Sequence, residues 1–253
     1  MALLQKLAGS TEFKFQSYRQ PSDYFGYSVS VYSDTAVIGA LYQDYGASGG
    51  SVEATDAGAA YVYTRTSGVW TQQQKLVGSG TNGRNADDYF GYSVSAYGDT
   101  IVAGAQYQSF DASGSNIATQ AGAAYFYTRT SGVWTQQQKL VGSGINGRII
   151  SDFFGASVSV YSDTIVAGAN GQDYDGNGAN YAFNAGAAYI FDAMDKIVLD
   201  VLQGGDRLAF EEIAGRKYEQ DKIVLGTIGI NAGDISSANP MPAFYSPLST
   251  FET

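Results

Sequence analysis

An all-β chain built of propeller-like blades is what this sequence predicts, and three observations predict it. One unit occurs three times, at spacings of 64 to 65 residues. Inside each unit, short runs rich in Val, Ile, Tyr and Thr alternate with polar residues, the period of a half-buried strand. Gly, 32 of 253 residues, separates these runs at matching places in every copy. A fixed period of this kind means stacked supersecondary units, none of which buries its own faces alone.

The anchors are Phe25-Gly26, Phe90-Gly91 and Phe154-Gly155, followed by Gly58-Ala59-Ala60-Tyr61 and its copies from Gly122 and Gly186. Thr64 to Gly80 recurs letter for letter from Thr128 to Gly144. Each unit reads as four strands. Tyr27 to Tyr32 alternates Ser with Val and turns at Ser33-Asp34 into Thr35 to Ala40. A long polar loop leads to Ala59 to Thr64, and a second tight turn, Ser67-Gly68, leads to Val69 to Leu76. Strict alternation in that last strand places Trp70, Gln72, Gln74 and Leu76 on one face. Asp34, Asp99 and Asp163 read as hairpin-turn residues. Close approach of neighbouring sheets needs Gly26, Gly39 and their copies, with Phe25, Phe90 and Phe154 filling the space between.

Phe-Gly opening the unit, Gly39-Ala40, Gly104-Ala105 and Gly168-Ala169 closing the second strand, and then Gly-Ala-Ala-Tyr, resemble the FG-GAP repeats of integrin α-chain propellers over residues 13–193. The resemblance implies a β-propeller-like fold and extracellular recognition or adhesion. Members of that family often carry an Asp-rich calcium loop between the first two strands. Here that connection is only Tyr32-Ser33-Asp34-Thr35 and its copies.

The domain division is 1–193 for the repeats, in blades of about 20–80, 85–144 and 150–193, and 194–253 for a C-terminal docking segment. The third copy lacks its last strand, and residues 12–18 stand before the first Phe-Gly as a candidate replacement. Closed propellers need about four to eight blades. Completion between chains, as a homo-oligomer, is therefore expected.

Composition removes whole classes of chemistry. The chain has no Cys and no His, which excludes disulfide scaffolds, thiolate metal sites, Ser-His-Asp catalysis and ordinary zinc hydrolysis. With 24 Asp+Glu against 14 Lys+Arg, net -10, no nucleic-acid partner is expected. Apolar runs such as Ile197-Val198-Leu199 are far too short for membrane insertion. The N-terminus lacks the basic stretch of a secretory signal.

Repeat symmetry puts the three long loops, 41–57, 106–121 and 170–185, on one rim. Candidate ligand contacts there are Tyr42, Asp44, Tyr45, Tyr107, Phe110, Asp111, Tyr174, Tyr181 and Phe183. Rigid aromatics among small polar residues suit a glycan or a receptor surface. Asp173, Asp175 and Asn177, in Asp-Tyr-Asp-Gly-Asn-Gly, are the candidate calcium ligands, and no other cofactor is expected. No carboxylate pair stands out for glycoside hydrolysis.

Residues 194–253 hold 14 of the 38 charged residues and three of the four Pro, but two of the 20 Tyr. Asp195 to Leu199 recurs as Asp221 to Leu225, and Asn239 to Leu248 reads as an extended arm with apolar anchors. Together these features suggest a non-enzymatic recognition and structural protein of a phage or virus virion, in a tail fibre, adhesin or ring, or decorating the capsid. The alternatives are a secreted or cell-surface lectin-like adhesin and a glycan-acting hydrolase.

Overall fold

The computed structural model describes residues 5–7, 22–47 and 54–193. The proposed strand at 12–18 and the docking segment 194–253 lie outside the described residues. β1 (Phe25–Tyr32), β2 (Thr35–Ala40), β3 (Ala59–Thr66) and β4 (Val69–Leu76) form one antiparallel sheet in chain order. β5 (Phe90–Tyr97), β6 (Thr100–Ala105), β7 (Ala123–Thr130) and β8 (Val133–Leu140) form the second. β9 (Phe154–Tyr161), β10 (Thr164–Ala169) and β11 (Ala187–Asp192) form the third, which has three strands. The described residues contain no helix. These are the blades the repeats predict, the third short by the strand that the sequence omits.

Turn chemistry sets the hairpins. Ser67 and Gly68 sit at φ 52 and 82, the doubly left-handed turn whose twist matches the strands it joins, and Ser131-Gly132 repeats it. Each first strand carries a bulge at its Phe-Gly. Phe90 pairs with Ala105, yet the next partner of β6 is Ser93. The bulged Gly91 lies at φ +83.

That bulge is where the blades lock. A Cβ on Gly39 would lie 2.0 Å from the carbonyl oxygen of Gly91, and one on Gly91 would lie 2.3 Å from that of Ala59. Gly104 and Gly155 repeat the contact between blades two and three, again at 2.0 Å. Ser28 Oγ donates to the Gly91 carbonyl at 2.7 Å, as Ser93 Oγ does to Gly155. The Ala96 and Val160 amides donate to Ser30 Oγ and Ser95 Oγ, both at 3.0 Å. The Phe90 and Phe154 amides donate to Ala57 and Ala121 of the preceding blade, both at 2.8 Å.

Between blades one and two, Val37, Ala60, Val62 and Leu76 pack against Phe90, Val94, Tyr125 and Trp134. Phe90 and Phe154 are 2% and 1% exposed, so each fills the space expected of it, with about 1.5–3 kcal/mol from burial. The strand from Val69 to Leu76 departs from strict alternation. Val62 pairs with Gln74 and Tyr63 with Gln72, leaving Gln73 as a bulge. The extra residue reverses the pleat. Trp70 therefore packs with Ile38, Tyr61 and Tyr63 on one face, while Leu76 packs toward blade two on the other.

A candidate recognition rim

Each long loop is pinned at its base by one buried glutamine. Gln43, Gln108 and Gln172 are 1%, 0% and 1% exposed. Their Oε1 atoms accept from the amides of Tyr45, Phe110 and Tyr174 at 2.7, 2.8 and 2.9 Å. Their Nε2 atoms donate to the carboxylates of Asp23, Asp88 and Asp152 at 3.1, 2.7 and 3.0 Å. Their carbonyls accept from Gly58, Gly122 and Gly186, closing the loops. Tyr45, Phe110 and Tyr174 thereby occupy equivalent places above the same pin.

Burial makes two of these aspartates unusual acids. Asp88 is pushed up to about 7, against the opposing pull of the Asn85 amide and Lys139. Asp152 rises to about 6 for the same reason. In both, one oxygen takes the pin and a backbone amide: Asn85 donates to Asp88 Oδ2, and Ile149 to Asp152 Oδ2, each at 2.6 Å. Lys139, buried over the Tyr125 ring, is pushed down to about 8.

Carboxylates higher in the loops are committed to the loops themselves. Asp44 and Asp173 accept the amides of Asp56 and Asn184, at 2.8 and 2.7 Å. Both of those donors have left-handed backbone. Asp111 accepts Ser113 Oγ, the Ser115 amide and Asn116 Nδ2, which hold its acid well below the usual carboxylate range. Asp175 has the same surroundings: the Asn177 and Ala179 amides and the Asn180 side chain, and its acid is lowered too. Both oxygens of Asp175 thus face N–H donors, and the Asn177 contact is through its amide rather than a side-chain oxygen. Among the described residues no cluster of three or more acidic groups is arranged to hold a metal ion. Asp56, also in the first long loop, is raised, by burial and by Asp44 and Asp87.

Aromatic residues join the loops into a row. Tyr24, Tyr42, Tyr89, Tyr107 and Phe153 follow one another with ring centroids 4.8, 5.1, 4.8 and 5.5 Å apart, crossing all three blades. Tyr42 and Tyr107 were legible in the loops. Tyr24, Tyr89 and Phe153 were not, although an aromatic residue stands before each Phe-Gly. Tyr174 meets Tyr181 edge-on at 5.5 Å. Tyr181 and Phe183 are 60% and 74% exposed.

The opposite end is built differently. Tyr32, Tyr97 and Tyr161 stack 4.6 and 4.7 Å apart. A cleft of about 390 Å³ beside them is lined by Asp34, Thr35, Arg65, Asp99 and Arg129. Its charges are paired, Arg65 with Asp34 and Arg129 with Asp99, both at 2.7 Å. Asp34 and Asp99 are thus turn residues that also fix an arginine.

No curated protein matches the chain. A family model described as the FG-GAP repeat matches residues 19–63, 70–127 and 134–191. The second and third matches run from a fourth strand through the next three, so the repeat is offset from the sheets. With the bulged Phe-Gly and the Gly-Ala strands in register three times, the chain belongs to the FG-GAP repeat family, whose repeats suggest a β-propeller-like protein of recognition or adhesion type.

Proposed function

We propose that the chain is a non-enzymatic recognition protein carried on a virus or phage particle, binding a surface glycan or receptor through the loop rim. The observation that carries this reading is the continuous aromatic row from Tyr24 to Phe153, laid beside loops held on buried glutamine pins. Rings fixed at this spacing present flat apolar area at little cost in conformational entropy, and the Ser, Asn and Gly around them supply hydrogen bonds. Acid–base hydrolysis needs a raised carboxyl in reach of substrate. Asp88 and Asp152 are raised but buried, and Asp111 and Asp175 are lowered.

Glycan-array binding of the full chain tests the rim. Tyr24→Ala, at the exposed end of the row, and Tyr181→Ala, exposed in the third loop, should each weaken binding at least tenfold without moving the melting temperature. Unchanged affinity in both would remove the rim from consideration. Co-sedimentation with purified particles at a fixed copy number supports the virion setting. Binding by the free chain with no particle association points instead to a lectin-like adhesin. Turnover of a polysaccharide that disappears in Asp56→Asn would overturn the non-enzymatic reading.

A further inference from the structure

Every blade carries two different faces, and each contact inside the chain joins one of each. The forward face presents Ser28, Ser30, Gly39, Val62 and Leu76, and the rear face of the next blade presents Gly91, Val94, Ala96 and Trp134. The same two faces recur at the ends of the three-blade array: among the described residues the forward face of blade three has no mate, and on the rear face of blade one residues 5–7 cover the Ile38–Tyr61–Tyr63 part and leave the first strand open. On the rear face of blade one, Val29 and Val31 are 69% and 66% exposed, where their equivalents Val94 and Val160 are 9% and 6%. A Cβ on Gly26 would meet nothing within 4 Å. On the forward face of blade three, Ser157 and Ser159 are exposed, and a Cβ on Gly168 would meet only Ser157 of its own blade. Ile190 is 74% exposed, where Val62 and Phe126 are 0% and 3%.

A second observation says what belongs between them. Gln5 Nε2 donates to the Trp70 carbonyl and Gln5 Oε1 accepts the Trp70 amide, both at 2.9 Å. Gln74 makes the same amide pair with Trp134, at 2.7 and 2.9 Å. Leu7 packs on the Ile38–Tyr61–Tyr63 cluster as Leu76 packs against blade two. In sequence, Gln5-Lys6-Leu7-Ala8-Gly9-Ser10 repeats Gln74-Lys75-Leu76-Val77-Gly78-Ser79 with one change. Residues 5–7 therefore occupy the place of the fourth strand of a blade that precedes blade one. Among the described residues, the blade without a fourth strand is blade three.

We propose that two copies of this chain close head to tail into a six-bladed ring. The forward face of blade three seats on the rear face of blade one of the other copy, and residues 5–7 of each copy become the fourth strand beside β11 of the other. Three sheets among the described residues of each chain make six the one multiple that falls within the roughly four to eight blades of closed propellers. A head-to-tail contact whose rotation closes gives a finite ring rather than a filament. The register of Ala60 with Leu76, and of Ala124 with Leu140, sets Ala188 opposite Leu7 of the partner subunit.

Native mass of the full chain at tens of micromolar reads this directly. Twice the chain mass is expected. Val31→Lys should yield single chains, whereas Ile117→Lys, equally exposed at 67% but outside both faces, should leave the pair intact. In a chain without native Cys, Leu7→Cys with Ala188→Cys should form a covalent dimer under oxidation. A single-chain mass for the unmodified protein, a cross-link within one chain, or a ladder of larger species would each overturn the closed pair.

Discussion

Trp70 and Trp134 stand in stretches identical over seventeen residues, yet their surroundings differ. Trp134 is 2% exposed between blades one and two, while Trp70 is half-buried on the rear face of blade one, where Gln5 and Leu7 are its neighbours in place of a whole blade. Identical letters thus give unequal burial. The strand is specified within the blade, but the burial comes from the neighbour, as expected of a quasi-one-dimensional array.

The largest test of that difference is truncation of each indole. Trp134→Ala should cost about 3–5 kcal/mol in urea unfolding, and Trp70→Ala roughly half as much. The measurement belongs in a Val31→Lys background, where the chain is expected to be single. Equal losses would mean that the blade, not its neighbour, stabilises the indole. The glycines provide a second, smaller contrast. Gly26 and Gly91 both have positive φ, at 95 and 83, so alanine at either costs about 1–2 kcal/mol of backbone strain. Gly91→Ala adds a Cβ 2.3 Å from the Ala59 carbonyl, and should cost about 1–3 kcal/mol more than Gly26→Ala in the same background.

The third contrast is in pH dependence. Asp88 keeps its proton in the folded chain up to about pH 7, and Asp152 up to about pH 6, while unfolded chains release it near 3.8. Between those values the unfolded state binds fewer protons, so stability falls as pH rises and levels off above the folded value. Asp88→Asn should flatten the slope from about pH 4 to 7, and Asp152→Asn a narrower window ending near 6. Asn fits because the oxygen that takes both donors is retained. Melting temperatures across pH 4 to 8 would show it. A slope unchanged in both variants would remove these acids as its source.

Much of the fold was legible because its signals are local. Phe-Gly, Gly-Ala and the Ser/Val alternation each report a contact made within a few residues of themselves or at one blade's remove. The reversal of Trp70 against Leu76 was not legible, since nothing in Gln72-Gln73-Gln74 marks which glutamine is the bulge. The rim was half legible. Tyr42, Tyr107 and Tyr174 were visible as loop aromatics, but that Asp44, Asp111 and Asp175 accept amides of their own loops was not, because such bonds cannot be seen in the letters. Gln43 and Asp23, twenty residues apart, carry no local sign of pairing. The role of Gln5 had a visible signal, the recurrence of Gln-Lys-Leu-x-Gly-Ser, but it lies upstream of the stretch at 12–18 that first suggests a strand.

The Gly39–Gly91 lock has a further consequence. Each blade is cut to fit its own copy, so a duplication of some 64 codons, placed anywhere in the run, adds a part that already fits on both sides. Such a gene gains or loses circumference without inventing a new contact surface, and its loops are free to diverge while the bearing surfaces stay the same.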